Sequence, residues 1–263
     1  MSKIHELCSF LEQIAPLELQ ESYDNAGLIY GSPNDEITGV LFSLDATEEV
    51  VNEAKSLGCN VVVSHHPIIF RGLKKISPSY YVDRSIISAI RNEIALYAIH
   101  TNLDNILHQG VNGKIAQVLG LEQIKILAPK HPDNPVEGAG IVGRFAQAIE
   151  LDEVLDLIKA KFNMPYLRHT RRLKDKIQTV ALCGGSGSFL VPQAIRSGAD
   201  LYLSADFKYH EFFEANDKIM IVDIGHYESE FYTIQHLFEL VSQNFRTFAT
   251  HCTKTITNPV QYY

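Results

Sequence analysis

Histidines and carboxylates follow three apolar runs of this sequence, each at the point where a predicted strand ends. Side chains that bind and react collect just past the carboxyl ends of strands in open α/β sheets. Imidazole and carboxylate ligands without a thiolate favour Zn, Fe, Mn, Co or Ni over Ca and Mg. The three groups are His65-His66 after residues 60–63, His100 to Asp104 after residues 94–99, and His226 to Glu230 after residues 218–224.

The pair His65-His66 suits two different metal positions. Neighbouring side chains of a regular strand point to opposite faces, so the two rings do not share one ligand position. Pro67 biases His66 towards an extended or turn conformation as the chain leaves the sheet. Taken alone, one solvated and one hydrogen-bonded histidine explains the pair at least as well.

The other two groups are also ambiguous when each is taken alone. Asp104 has the residue type of a turn or helix cap. His226 and Glu230 are four residues apart, which places both on one face of a helix, but acids in a first helical turn also complement the helix dipole. Three strand ends with the same residue types together favour a metal site.

Five ligands are more than one open catalytic site needs. We therefore predict two divalent ions bridged by a carboxylate and a water. Two ions about 3.5–4 Å apart generate a hydroxide nucleophile and stabilise the oxyanion that develops. The predicted metal ligands are His65, His66, Asp104, His226 and Glu230.

Strand and helix patterns alternate along the chain, which indicates an α/β protein. One unit recurs with a constant offset of 140 positions, so that Ser64 matches Ser204 and His66 matches Asp206. Internal duplication explains this offset better than a chance likeness between short αβ units. The unit consists of a strand at residues 40–44, a helix at 47–57 with Thr47 as its cap and a strand at 60–63, and its repeat consists of residues 180–183, 189–196 and 200–203.

The stretch from Ala128 to Gly140 is rich in Pro, Gly and polar residues, which predicts a loop between the two repeats. We therefore expect a first α/β domain of residues 1–127 and 226–263, which carries most of the metal ligands. The second domain is expected at residues 128–225, as the internal repeat of the first.

The formal charge of −8 argues against non-specific binding of nucleic acid. No run approaches the roughly 20 apolar residues of a membrane helix, and the N-terminal stretch lacks a signal-peptide cleavage site. Four cysteines without CxxC spacing indicate neither disulfides nor a thiolate zinc site. We expect a cytoplasmic protein without a membrane partner.

The chain also has one basic stretch. A stretch of this kind is more often a solvated surface than a phosphate site. It comprises Arg168, Arg171, Arg172, Lys174 and Lys176.

Five motifs carry a resemblance to a known family: Tyr23 to Gly31 (YDNAGLIYG), Ser64 to Pro67 (SHHP), His100 to Asp104 (HTNLD), Ser204 to His210 (SADFKYH) and Gly225 to Glu230 (GHYESE). The chain resembles the NIF3-like proteins, catalogued in bacteria as GTP cyclohydrolase type 2 homologues, over essentially its whole length. The resemblance implies a NIF3-like fold of two intertwined α/β repeats with mixed sheets. It also implies a homo-oligomer in the form of a toroidal hexamer, and the short form of the family without an inserted domain.

The resemblance assigns roles to the five ligands. His65 and His226 would serve one metal, His66 and Asp104 would serve the other, and Glu230 would bridge them.

The chain departs from the common family pattern in two places. Tyr23 stands where Trp is common, and Ser204-Ala205-Asp206 stands where Thr-Gly-Glu or Thr-Gly-Asp is common. Both departures concern the substrate pocket.

The leading functional hypothesis is a metal-dependent hydrolase of a nucleotide-like small molecule, with GTP ring opening by attack at the purine C8 as the candidate reaction. Two rivals are a non-catalytic metal-binding or interaction protein and a generic phosphoesterase. The candidate proton-transfer groups are His100 and Glu228, and the candidate substrate contacts are Asp206, Lys208 and His210.

Overall fold

The computed structural model describes residues 2–131 and 133–263. The α-helices are α1 (Ile4–Ile14), α2 (Glu48–Ser56), α3 (Tyr81–Arg91), α4 (Thr101–Asp104), α5 (Val111–Leu119), α6 (Leu151–Phe162), α7 (Val191–Arg196), α8 (His226–Glu230) and α9 (Tyr232–Asn244). The strands are β1 (Gly27–Tyr30), β2 (Gly39–Ser43), β3 (Val61–Ser64), β4 (Ala95–Ala98), β5 (Glu122–His131), β6 (Asn134–Glu150), β7 (Arg168–His169), β8 (Lys176–Ser186), β9 (Leu201–Ala205), β10 (Met220–Asp223) and β11 (Ala249–Cys252). Turns of 3-10 helix cover Leu17–Leu19, Ser188–Leu190 and Tyr209–Ala215.

The chain forms two compact units, each built from an α/β sheet. The first contains Met1–Leu103 and Thr233–Gln261, and the second contains Asp104–Tyr232 and Tyr262–Tyr263. The sequence predicted domain boundaries after residue 127 and after residue 225, whereas the structure divides the chain after Leu103, after Tyr232 and after Gln261. Strand β5 pairs with β6, which in turn pairs with β8, and this continuous sheet belongs to the second unit.

The stretch of residues 128–140 is not the loop that its composition predicts. Pro132 lies outside the described residues, but the strands on either side of it form an antiparallel hairpin. Strand β5 lies at the edge of its sheet. Pro129 is tolerated in an edge strand because one side of such a strand has no neighbouring strand that needs a backbone N–H donor. The part of β6 within this stretch also bonds to an earlier segment of the unit, since Leu107 N donates to Val136 O at 3.0 Å and Gly138 N donates to Asn105 O at 2.9 Å, and these bonds supply stability that local strand propensity lacks.

The first unit is a mixed sheet with the strand order β1-β4-β3-β2-β11. Strand β1 is antiparallel to β4, and the other neighbours are parallel. The apolar strands β2 and β3 are buried along their whole length, as expected for parallel strands with both faces covered. Helix α2 begins after Thr47, whose side chain accepts a hydrogen bond from Val50 N, so the predicted cap is confirmed.

The second unit contains a mixed sheet with the strand order β5-β6-β8-β9-β10-β7. Strands β8, β9 and β10 are parallel, and the remaining pairs are antiparallel. Its core includes Ala181, Val191, Tyr202, Phe207 and Ile221, which join the parallel strands to α7 and the following chain. Both units therefore contain at least three neighbouring parallel strands within a mixed sheet.

The register of the parallel strands supports the internal duplication. Val40 pairs with Val61 in the first unit. Val180 and Leu201, each 140 positions further along, pair in the second unit. A constant sequence offset thus corresponds to the same backbone pairing in both sheets.

The correspondence extends to a third parallel strand, where Ile99 N donates to Ser64 O and Ile224 N donates to Ser204 O, both at 3.0 Å. Each unit consequently presents the residues that follow its middle and third parallel strands at one sheet edge. These are His65, His66 and His100 in the first unit, and Asp206 and His226 in the second.

Candidate metal centre

Three histidines of the first unit form a compact cluster. His65 and His66 follow β3, and His100 follows the neighbouring parallel strand β4. The ring centroid of His65 lies 5.0 Å from that of His66, and the ring of His100 lies 5.3 Å from both. Each ring offers a nitrogen within 4.8 Å of the other two, so the three could hold one cation. The expectation that His65 and His66 do not share a ligand position is therefore wrong, because the chain leaves the regular strand geometry at β3's end, Ser64. The structure therefore brings the predicted proton-transfer residue His100 to the predicted ligands His65 and His66.

The Nδ1 atom of each histidine in this cluster is held by an oxygen acceptor. His65 Nδ1 donates to the carbonyl of Ile99, at 2.8 Å. His66 Nδ1 donates to Asp45 Oδ1 and His100 Nδ1 donates to Asp24 Oδ1, both also at 2.8 Å. An acceptor on Nδ1 requires the proton there, so Nε2 of each neutral ring carries the lone pair that binds a metal.

Asp24 holds His100 in this orientation. Its second oxygen accepts hydrogen bonds from the hydroxyl of Thr101 and from Thr101 N, the latter at 3.0 Å. Burial raises the pKa of the Asp24 carboxyl, but the hydrogen bonds and the charge of His100 outweigh it and lower the pKa to about 2. The carboxylate form of Asp24 is thus the form that the fold stabilises.

Replacing Asp24→Asn is expected to lower the free energy of unfolding by about 1–2 kcal/mol near neutral pH, a value reduced for solvent screening at this half-buried residue. The folded pKa is lowered, so the stabilisation is present above the unfolded pKa of about 4 and is lost as pH falls towards about 2. Urea unfolding of both proteins across this range measures the difference. The exposed Asp35→Asn is the control, and a difference independent of pH would contradict the assignment.

Three predicted ligands come together in the second unit. His226 opens α8 and Glu230 ends it, so their spacing of four residues places both on one face, with His226 Nε2 3.1 Å from Glu230 Oε2. Asp104 offers a carboxylate oxygen within 4.8 Å of one from Glu230. Glu230 is only 3% exposed, so its charge acts where solvent screens it weakly.

His226 has the same arrangement as the first-unit histidines. Its Nδ1 donates to Asp206 Oδ2 at 2.7 Å, so Asp206, predicted to contact substrate, here orients a predicted ligand. Burial lowers the pKa of His226, but the charges and hydrogen bonds of Glu230 and Asp206 raise it to about 11. A metal that binds Nε2 has to displace this proton, which makes metal binding dependent on pH.

Gly185 provides the space that Glu230 occupies. This residue lies near the end of β8 with a φ of +60°, and a Cβ there would lie 2.3 Å from Glu230 Oε1 and 3.2 Å from His226 Cε1. Gly185 N also donates to Ser229 Oγ at 2.9 Å, which fixes the helix that carries His226 and Glu230. The position of these two predicted ligands therefore depends on a backbone conformation and a close approach that suit glycine.

The remaining predicted site residues of the second unit have other neighbours. Glu228 accepts a hydrogen bond from the hydroxyl of Tyr262, and burial together with the Glu228 charge raises the pKa of that tyrosine. Lys208 precedes the 3-10 turn that begins at Tyr209, and its amide donates to Glu211 Oε2 at 2.8 Å. His210 packs its ring beside Tyr209, with centroids 5.1 Å apart.

The basic stretch of the second unit is neutralised by ion pairs, which agrees with the solvated-surface interpretation. Each basic side chain pairs with a carboxylate of the same unit, so the stretch presents paired charges to an incoming phosphate. The pairs are Arg168–Asp223, Arg171–Asp217, Arg172–Asp152, Lys174–Asp200 and Lys176–Glu150.

Sequence reasoning missed two carboxylates of the first unit, Asp24 and Asp45. Asp45 lies just past the end of β2, the strand beside β3, so the rule that identified His65 and His66 also applies to it. Asp24 lies in the YDNAGLIYG motif, but its partner His100 is 76 residues away, and spacing along the chain gives no signal of that contact.

Comparison with known proteins gives the family. The family model of Duf34/NIF3 (NGG1p interacting factor 3) matches residues 2–259. The chain belongs to the NIF3 family. The resemblance drawn from the five motifs is thereby confirmed, as is the mixed α/β fold that it implied.

Family members from several bacteria are similar to this chain over nearly its whole length. The protein named GTP cyclohydrolase 1 type 2 homolog of Clostridium perfringens is 35% identical over 244 residues, which cover 92% of both chains. Its namesake from Lactococcus lactis is 36% identical over 251 residues, which cover 94% of this chain and 92% of the other. The crystal structure of Staphylococcus aureus protein SA1388 matches with a TM-score of 0.92 at 31% identity and covers 100% of this chain and 99% of that one.

Within residues 2–131 and 133–263, no helix of this NIF3 family member combines the length and the apolar character that crossing a membrane requires.

Proposed function

We propose that this chain is a dinuclear metal-dependent hydrolase that acts on a nucleotide-like small molecule. The observation that carries the proposal is the common arrangement of four histidines, each with Nδ1 bound to an oxygen acceptor and each in a group of residues that could hold a metal ion. Metal-binding histidines are oriented in this way in proteins generally. The ligands in this proposal are His65, His66, Asp104, His226 and Glu230.

The donor set fits the proposed metals. Imidazole nitrogens and carboxylate oxygens suit Zn, Fe, Mn, Co or Ni, and the sites described above contain no thiolate. Two such ions, when bound, supply Lewis acidity to the substrate and lower the pKa of a water molecule. The protein supplies orientation: Asp45 and Asp206 fix the rings of His66 and His226 through Nδ1, and so leave Nε2 as the nitrogen that would bind a metal.

Other residues have proposed roles in substrate binding and proton transfer. His100 and Glu228 are the proposed proton-transfer groups. His100 lies in the cluster with His65 and His66, and Glu228 lies on α8 together with His226 and Glu230. Lys208 and His210 are the proposed contacts for an anionic substrate, since both are exposed and follow Asp206 closely in the chain. Asp206 is assigned to the orientation of His226 rather than to substrate binding.

The names of the relatives direct the choice of substrate. Curated relatives are named GTP cyclohydrolase 1 type 2 homolog, so hydrolytic opening of the GTP imidazole ring is the first reaction to test. A cytoplasmic location and a toroidal hexamer complete the proposal, and light scattering of the purified protein tests the assembly.

Metal content tests the site independently of any substrate. Replacing His66→Ala removes one proposed ligand of one of the two ions, and we expect elemental analysis to find about half of the wild-type metal per chain. His169→Ala is the matched control, because His169 is an exposed histidine in β7 that donates to the carbonyl of Thr170. Unchanged stoichiometry in His66→Ala would remove His66 from the ligand set.

Turnover tests the reaction. Metal-loaded protein is incubated with GTP, other nucleotides and an aryl phosphate ester, and products are identified by mass spectrometry. A product heavier than GTP by one water, or release of formate, supports ring opening. Cleavage of the aryl ester alone supports a phosphoesterase, and no turnover by fully loaded protein supports a metal-binding or interaction protein.

A further inference from the structure

The chain that follows β11 is brought to the histidine cluster by strand pairing. Strand β11 is parallel to β2, with Cys252 paired to Phe42, so both strands end at the same edge of the sheet. Asp45 lies two residues beyond the end of β2, and Thr257 lies five residues beyond the end of β11. The C-terminal tail is the part of the first unit that follows β11, residues 253–261. Its first residue continues the ladder, since Thr253 N donates to Phe42 O at 2.9 Å.

Glu53 of α2 fixes the path of this tail. Its carboxylate accepts hydrogen bonds from the hydroxyl of Thr253, from Lys254 N at 2.8 Å, and from both Thr255 N and Thr255 Oγ1, at 3.2 and 2.7 Å. Hydrogen bonds to a charged acceptor are stronger than those between neutral groups. Residues 253–255 are therefore held tightly against α2, which limits where Thr257 can lie.

Thr257 ends a chain of hydrogen bonds that leads to a proposed metal ligand. Its hydroxyl donates to Asp45 Oδ2, while Asp45 Oδ1 accepts from His66 Nδ1 at 2.8 Å. The two oxygens of one carboxylate thus serve the tail and the histidine separately. A carboxylate held at one oxygen has fewer orientations available to the other, so Thr257 restricts the rotation of Asp45 and of the His66 ring.

We propose that Thr257 is a positioning residue for His66, acting through Asp45, so that the C-terminal tail sets the metal affinity of the site. This inference rests on the proposed function, because it takes His66 as a metal ligand. It gives the tail a role in the proposed metal site in addition to its place in the first unit. Loss of the Thr257 hydroxyl is expected to weaken metal binding without unfolding the protein.

Cobalt(II) titration of the full chain tests this inference, with visible absorption as the readout of ligand geometry. Thr257→Val keeps the shape of the side chain but removes the hydroxyl, and it is expected to weaken Co²⁺ binding about tenfold, the lower end of the effect of losing an outer-sphere partner. Thr257→Ser restores the hydroxyl and is expected to bind within about twofold of wild type. The absorption spectrum of the Val variant should change as well, since His66 is less well oriented.

Thr255→Val is the matched control, since Thr255 lies in the same tail and bonds to Glu53 rather than to Asp45. It is expected to lower the melting temperature but to leave Co²⁺ affinity unchanged, because Thr253 Oγ1, Lys254 N and Thr255 N still bond to Glu53 and keep the path of the tail. Wild-type affinity in Thr257→Val, or an equal loss in Thr255→Val, would overturn the role of Thr257 and leave the proposed function intact. A wild-type chain that binds no Co²⁺ would overturn both.

Discussion

Replacing Glu230→Gln is expected to remove most bound metal and to reduce metal affinity by more than about 100-fold, the upper end of what losing an outer-sphere partner costs. Glu230 is buried, and its oxygens approach both His226 Nε2 and a carboxylate oxygen of Asp104. Glutamine keeps the size of the side chain but removes the charge that a bridging ligand supplies. Any metal-dependent turnover should be lost with the metal.

Glu214→Gln is the control for this prediction, because Glu214 is an exposed glutamate of the same unit. Elemental analysis after gel filtration and a Co²⁺ titration measure both variants beside wild type. The Glu214 variant is expected to match wild type in both measurements. Full metal content in Glu230→Gln would show that this carboxylate is not a ligand.

Gly185→Ala is expected to destabilise the protein by about 2–5 kcal/mol and to disturb the same pair of proposed ligands. About 1–2 kcal/mol comes from placing alanine in the left-handed region. A further 1–3 kcal/mol, roughly, comes from overpacking, because the new Cβ would lie 2.3 Å from Oε1 of the buried Glu230. Glu230 and His226 must shift to relieve the contact, so metal content should fall together with stability.

Gly198→Ala separates these two contributions. Gly198 has a similar φ of +73°, but a Cβ there would meet no atom within 4 Å. The Gly198→Ala variant is expected to lose only about 1–2 kcal/mol of stability, which is the cost of alanine in the left-handed region, and to keep its metal. Denaturant unfolding of both variants measures the difference, and equal losses at the two glycines would mean that the approach of Glu230 has no energetic consequence.

Local patterns were sufficient for the elements that carry the site. Thr47 was predicted as a helix cap and is one, because capping depends only on residues within the first turn. The spacing of His226 and Glu230 predicted a shared helix face for the same reason, and the two side chains are in contact. The offset of 140 residues likewise anticipated the common pairing register of the two parallel strand pairs.

Composition was misleading where long-range pairing dominates. Residues 128–131 and 134–140 have the Pro and Gly content of a loop, yet they belong to the strands of an antiparallel hairpin. This part of β6 also bonds to a segment about 30 residues earlier in the sequence, since Leu107 N donates to Val136 O and Gly138 N donates to Asn105 O. Together with the ladder between β5 and β6, these hydrogen bonds outweigh the low strand propensity of the stretch, and no local window contains the distant partner.

Local periodicity and residue type were enough to place His65, His66, His100 and His226 just past strands of an α/β protein, and the five motifs were enough to place the chain in the NIF3 family. The partner of each ring is visible only in the folded chain, where Nδ1 donates to the Ile99 carbonyl, Asp45, Asp24 and Asp206, respectively. Strand ends are set by local periodicity, whereas the partner of a side chain depends on which distant segments the sheet brings to the same edge.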